Sequence, residues 1–543
     1  MPINPTTIKP QSINQFSLAR RFTRGMGTGA MLPLIALEAF VTGGRTIQAY
    51  NRGGFDEARE RFTEEAIGAA FWFCGVKVFN KMNDKIGQKV LNLVDTNFDV
   101  GKDTVRNPLA NYLKDKGGKG LNEKTIGKFK LAKVSASILL ANLLVGLVVP
   151  KINQKITVAL QKKRKTNENK PEETTATQNR TATQNTKTNE TKIEPKTQSE
   201  KEFFNYSIDK FQKENNNKKD VSFGMNAQGM LSIAHKFENS NIYQLLSTDV
   251  GIAGGRAVSA RNEHERNEVL FRDLTSIYFY MFNIPHIHMW LNKIEDGKKS
   301  RLDPVASKQV TDQLKLAMSE HKDGLDPDTF KKLALGDDTN LGYMTKELDG
   351  KFDSKGIMKL DDLIEQIKKH KQLNAEQVKE YIDSAKRMST LQPKVEGVSI
   401  LTKAQVEDVF KGGALNMPEF LNNVYGLASN NDMFGNSTTY KHQDPYKFVG
   451  QGQFTSIKED ITEHVINIVK KAKKAGKKIT LETIENADKM NFRKNLFNRS
   501  VGFAISAAFL STYIPKIQYW ITKKATGQDS FPGLTDYTNE KKD

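Results

Sequence analysis

Two stretches dominate the hydrophobic pattern of the chain. Val134 to Val149 runs sixteen residues without a charge, and Val501 to Ile514 is charge-free as well. Each is closed by a proline and then lysines, Lys151 and Lys155 in the first case, Lys516, Lys523 and Lys524 in the second. Apolar runs of this length followed by basic residues predict membrane helices with cytoplasmic ends, extended in the second case by the interfacial pair Tyr519 and Trp520. Two aromatic stretches, 69–86 and 277–294, are weaker candidates, because Lys77 breaks the first and Pro285, His286 and His288 soften the second. If both strong helices end on one side, an even number of crossings separates them. A hairpin of aromatic and terminal helix in each half meets that condition. The competing reading makes these runs core helices of a large soluble bundle, whose lengths they overlap.

Between 297 and 490 the pattern changes to short amphipathic helices. Leu325-Asp326…Phe330, Leu373-Asn374…Val378, Leu401-Thr402…Val406 and Ile479-Thr480…Ile484 repeat one design. A capping residue sits between an apolar residue and a second apolar residue four positions after the cap, the signature of a stapled helix start. This region reads as a water-facing helical insertion and a possible docking module for a protein partner. Residues 161–200, with TATQN repeated at Thr175 and Thr181, contain almost nothing to bury and read as a disordered linker.

The halves on either side of the linker resemble each other. Glu38 and Gly43-Gly44-Arg45 recur as Asp249 and Gly254-Gly255-Arg256 at the same spacing. Ala49 and Asn51 recur as Ala260 and Asn262. After a three-residue slip, Glu57, Glu60 and Glu65 align with Glu265, Glu268 and Asp273. The terminal helices share Pro150-Lys151-Ile152 and Ile156-Thr157 with Pro515-Lys516-Ile517 and Ile521-Thr522. The expectation is an all-α, membrane-associated core of two internally duplicated units. Its divisions are a basic N-terminal segment (1–26), a first unit (27–160), the linker (161–200), the start of a second unit (201–296), the insertion (297–490), a terminal membrane helix (491–524) and a polar tail (525–543).

Charge sharpens this picture. The net charge is +19, and residues 1–160 hold 23 Lys/Arg against 12 Asp/Glu beside the greasiest helix. That combination points to an anionic lipid surface. Nucleic acid is the disfavoured rival, since no binding signature accompanies the basic residues. The basic run VKKAKKAGKK (469–478) reads as a solvated helix face. Cys74 is the single cysteine, which rules out an intramolecular disulfide and cysteine-rich metal sites. Arg20, Arg21 and Arg24 precede an apolar stretch, but Glu38 interrupts it and no cleavage motif follows, so this end reads as mature protein.

The candidate site residues are Glu38, Gly43, Gly44, Arg45, Asp249, Gly254, Gly255 and Arg256. One reading makes the Gly-Gly-Arg segments anion nests for a lipid headgroup. The favoured one lets the glycines bring helices close, while the arginines pair with carboxylates across the two units, Glu38 with Arg256 and Asp249 with Arg45. His286 and His288 lack a third ligand for a metal. The stretch Phe352 to Ile364 faintly resembles a calcium-binding helix-loop-helix, but Lys351 and Lys355 stand where acidic ligands belong. The glycine run Gly25 to Gly29 has neither the strand nor the lysine of a nucleotide loop. With no catalytic motif and no cofactor signature, the chain reads as a non-enzymatic membrane scaffold or recruiting protein; a two-repeat transporter or channel and a soluble helical binding protein are the alternatives.

Overall fold

The computed structural model describes residues 15–28, 31–91, 123–168, 241–297, 301–337, 348–353, 356–371, 373–390, 398–421, 451–529 and 531–532, with a few isolated positions besides. The fold is all-α. Two three-residue strands, the isolated bridge between Leu325 and Ile479 and a bridge residue at Val398 are the β-structure among the described residues.

The core is built from long helices. α1 spans Leu18–Thr28 and α2 Met31–Leu91, the latter kinked at Gly54, whose φ of 71° interrupts the helical backbone. Only glycine takes that conformation without strain. α3 (Glu123–Leu143) passes through a π-helical turn, Leu144–Val148, into α4 (Val149–Glu168). α5 (Asn241–Ser259) and α6 (Glu263–Met281) follow, and Asn262 caps α6 by accepting from the Glu265 N–H at 2.9 Å. α7 covers Asn283–Asp296.

The insertion then opens with α8 (Pro304–Ala317) and α9 (Pro327–Leu335). β1 (Ile357–Lys359) leads into α10 (Leu360–Lys369), and α11 (Ala375–Ser389) precedes β2 (Ile400–Thr402) and α12 (Lys403–Lys411). α13 (Gln451–Ala475) hands over to α14 (Leu481–Ala508), which passes through a second π-helical turn, Phe509–Tyr513, into α15 (Ile514–Thr526).

Asp326, Asn374, Thr402 and Thr480 are the N-caps of α9, α11, α12 and α14, each side chain accepting from a backbone amide of the first turn. The helix starts are also tied in pairs. β1 runs antiparallel to β2 with Met358 opposite Leu401, and Leu325 bridges Ile479 in the same sense. In the Phe352–Ile364 stretch residues 354 and 355 lie outside the described residues, and the rest leads through strand β1 into helix α10, with Asp353 accepting from the Ile357 N–H at 2.8 Å. Around these elements lies a buried apolar cluster that includes Leu314, Phe330, Met358, Leu363, Leu401, Phe410 and Phe420.

Two boundaries differ from the sequence expectation. α4 continues to Glu168, so residues 161–168 belong to a helix, while 169–200 lie outside the described residues. The division at 490 falls inside α14, because the alternation of buried positions Ile484, Asp488, Asn491 and Asn495 carries one helix face across it.

Two helices, Gly127–Arg164 and Leu481–Thr526, are long and apolar enough to cross a membrane, or three if the bent pair Leu18–Gly27 and Leu32–Gly87 counts as one span. They contain the two charge-free stretches. The π-helical turns occupy the same place in both, five residues ending one before Val149-Pro150 and Ile514-Pro515.

Candidate functional site

The segments with Gly43-Gly44-Arg45 and Gly254-Gly255-Arg256 lie within α2 and α5. Their amides are therefore part of helices and do not form a nest for an anion. In each pair the second glycine is the one under constraint. A Cβ on Gly44 would stand 2.3 Å from Ser511 Cβ, and one on Gly255 would stand 2.7 Å from Gly146 Cα; Gly43 and Gly254 face open space. Gly146 and Ser511 belong to the two π-helical turns. The packing is thus crossed: α2 of the first half lies on the π-turn that precedes α15, and α5 of the second half lies on the π-turn that precedes α4.

This close approach brings ionisable groups together. Glu38, Arg45, Glu65, Asp249, Arg256, Asp273, Ser276, Trp72 and Tyr280 surround one cavity of about 60 Å³. The expected ion pairs between halves, Glu38 with Arg256 and Asp249 with Arg45, do not form. Arg45 Nη1 pairs with Glu65 at 2.9 Å and Arg256 Nη1 with Asp273 at 3.3 Å, each within its own half. The reason is the path of the chain. α2 folds back at Gly54 and the chain turns between α5 and α6, so the carboxylate seventeen or twenty residues downstream is delivered beside its own arginine. The arginines reach the other half only through neutral acceptors. Arg45 donates to Ser276 Oγ at 2.6 Å and to the Leu510 carbonyl at 3.0 Å, and Arg256 donates to the Glu64 carbonyl at 3.1 Å.

The carboxylates left over are Glu38 and Asp249. Glu38 accepts from Thr42 and from the Tyr280 hydroxyl. Asp249 lines the cavity with no hydrogen bond or ion pair among the described residues.

The ion pairs that do join the halves lie farther along the bundle. Arg52 pairs with Glu57 of its own half and with Glu268 of the other at 2.7 Å. Arg261 pairs with Glu265 of its own half at 2.7 Å and with Glu60 of the other at 2.8 Å. Thr157 donates to Glu60, and Thr522 donates to Glu268 at 2.5 Å. The glutamates and threonines here are the positions aligned between the halves in the sequence. Arg52 and Arg261 were not singled out there, because they sit on opposite sides of the matched asparagines, in Asn51-Arg52 and Arg261-Asn262. Each is also packed on a ring, Arg52 3.7 Å from the Tyr519 centroid and Arg261 5.0 Å from that of Phe531.

His286 and His288 lie on α7, where His286 meets the Tyr278 hydroxyl at 3.3 Å and His288 meets Asn292 at 3.2 Å. Among the described residues no group of three or more His, Cys, Asp or Glu side chains is arranged to hold a metal ion.

No protein-family model, no curated protein and no solved structure matches the chain.

Proposed function

We propose that the chain is a non-enzymatic integral membrane protein whose core, made of two duplicated units, anchors the 297–490 helical domain at the membrane surface for recruitment of a protein partner. One observation carries this reading: the core exposes many large apolar side chains and buries charged ones, beside an inner apolar cluster that includes Leu37, Val41, Trp72 and Leu510. Phe40, Ile47, Tyr50, Phe62, Leu139, Trp290, Phe497 and Trp520 are exposed, whereas Arg45, Glu57, Glu60, Glu65, Arg256, Glu268 and Arg272 are buried. A soluble fold hides its aromatic residues and leaves charges in water. Lipid reverses the preference, since a charge facing hydrocarbon costs several kcal/mol and an apolar side chain there costs nothing. The basic residues beyond Pro150 and Pro515 fit a cytoplasmic, anionic surface.

The duplicated origin is supported by parallel details. Both terminal helices carry a π-helical turn at the same place. The aligned threonines donate to the aligned glutamates, and the aligned arginines pair with the aligned acids. Such coincidences follow from one ancestral module used twice.

Alkaline carbonate extraction of membranes from expressing cells tests the proposal. Retention in the pellet is the expected outcome. Release by carbonate or by salt, or recovery in the soluble fraction, overturns it. A transporter is the second reading, favoured by the ionisable cavity between the halves; solute flux in reconstituted vesicles, abolished by Arg45→Ala, would select it over a purely structural role.

A further inference from the structure

We propose that the pole of the insertion where α13 turns into α14 docks a short acidic segment of a partner protein. This rests on the recruitment role proposed above and names the surface that performs it. Residues 469–478, VKKAKKAGKK, place six lysines in ten positions with no acid between them. All six are exposed, whereas Ile468, Val469, Ala472 and Ile479 beside them are buried in the cluster of the insertion. The turn is tied down at three points. Gly476 ends α13 with φ 61°, the Leu325–Ile479 bridge joins the turn to the segment before α9, and Thr480 caps α14.

Among the described residues, Lys473 alone of the six has an ion pair, with Asp328 at 2.6 Å. Lys471 reaches sideways to Met490 Sδ at 3.4 Å. Packing alone does not account for the arrangement. Lys470 stands three and four residues before Lys473 and Lys474, spacings at which like charges destabilise a helix. The helix dipole compensates cations in the last turn, which covers Lys473 and Lys474, but Lys477 and Lys478 lie past the helix end. An anionic partner relieves the repulsion that the fold leaves in place.

The surroundings select the kind of anion. The run has no arginine for a bidentate grip on phosphate and no aromatic ring to stack on bases. Acids bound it on both sides, Asp323, Asp326 and Asp328 around the Leu325–Ile479 bridge and Glu482 in the first turn of α14. A long nucleic-acid strand would run onto these acids, whereas a few carboxylates fit between them. The bilayer that holds the core is out of reach. Leu481–Thr526 is one continuous helix, and residues 481–500 separate the turn from the charge-free stretch by about 30 Å. Screening at physiological salt acts over about 8 Å.

Fluorescein-labelled hexaglutamate, titrated with the full chain in a neutral detergent at low ionic strength and read by fluorescence anisotropy, tests the proposal. The combined variant Lys470→Gln, Lys473→Gln, Lys474→Gln, Lys477→Gln and Lys478→Gln is expected to raise the Kd at least about tenfold. Lys359→Gln, Lys368→Gln, Lys369→Gln, Lys371→Gln and Lys379→Gln, combined, remove the same charge from exposed positions on and beside β1, α10 and α11. That control should stay within about twofold of wild type. Equal weakening in the two variants, or no binding by wild type, overturns the proposal. So does displacement of the peptide by oligothymidylate or by short-chain phosphatidylserine at lower concentration than by unlabelled hexaglutamate. Release of the chain from membranes by carbonate would end the anchoring role and leave these titrations unchanged, so the two failures are distinct.

Discussion

In the insertion, Leu314, Phe330, Phe410 and Phe420 are fully buried, and among its described large apolar side chains only Met490, at its end on α14, is exposed. In the core, Phe40, Phe62, Trp290 and Trp520 face outward, and the interior is held by Arg45–Glu65, Arg52–Glu268 and Arg261–Glu60. The two regions share helix α14, yet the core has only a smaller apolar cluster, around Leu37, Val41, Trp72 and Leu510, buries many charges beside it and exposes many large apolar side chains. On the proposed membrane reading, the difference lies in what surrounds each. Where water is the solvent, burial of carbon is favourable and fills the centre. Where burial of carbon brings nothing, association rests on close packing at small residues such as Gly44 against Ser511 and Gly255 against Gly146, and on ion pairs kept from hydrocarbon.

The sharpest way to break this comparison is to remove one partner of a core ion pair. Arg52→Ala leaves Glu57 and Glu268 buried without their cation, and a loss of about 3–5 kcal/mol in stability is expected, measured by denaturation with Trp fluorescence. A loss under about 1 kcal/mol would mean that water reaches these carboxylates and that the interior is not the polar core described here.

Next in size is a charge on the outer belt. Leu139 is 59% exposed. In a water-soluble bundle Leu139→Lys is harmless, within about 0.5 kcal/mol. In a membrane helix it costs about 3 kcal/mol at mid-depth. Carbonate-resistant yield of the variant should fall sharply against wild type.

The insertion supplies the third test through two buried groups. Burial pushes the Asp408 carboxyl up to about 6, although Lys458 beside it opposes the shift. Burial also lowers His464 to about 4, with Arg301 and Lys471 lowering it further and Asp488 acting the other way. For His464 the folded state favours the neutral ring, so its contribution is present at neutral pH and is lost as pH falls from 6.5 to about 4. For Asp408 the folded state favours the protonated acid, so stability rises as pH falls from about 6 towards 3.8. The two run in opposite directions over the same interval, each by about 3 kcal/mol at most. Relative to wild type, Asp408→Asn should make the insertion weaken on acidification and His464→Gln should make it strengthen. Hydrogen exchange of the α12 and α13 amides between pH 7 and pH 4.5, corrected for intrinsic rates, reads both. Equal pH dependence in all three proteins would show that neither group titrates in that window.

The smallest expected effect is Asn374→Ala at the start of α11. It removes a reciprocal cap with Gln377, made at 2.8 Å and 3.1 Å, and should cost about 1 kcal/mol with fraying confined to that helix.

The chain itself determined its all-helical character, the positions of its caps and the placing of its two most apolar helices. These depend on local rules: periodicity along a helix, a polar side chain before the first turn, and the absence of charge over fourteen to sixteen residues. It also brought Glu38, Arg45, Asp249 and Arg256 into view through their matched spacing. Which carboxylate meets which arginine was settled only in three dimensions. The kink at Gly54 and the crossed seating of α2 and α5 on opposite π-turns set Arg45 beside Glu65 and Arg52 beside Glu268, across 20 and 216 residues respectively. Sequence spacing measures distance along one helix, whereas ion pairing in this core depends on where a bent helix returns and on which half it leans against.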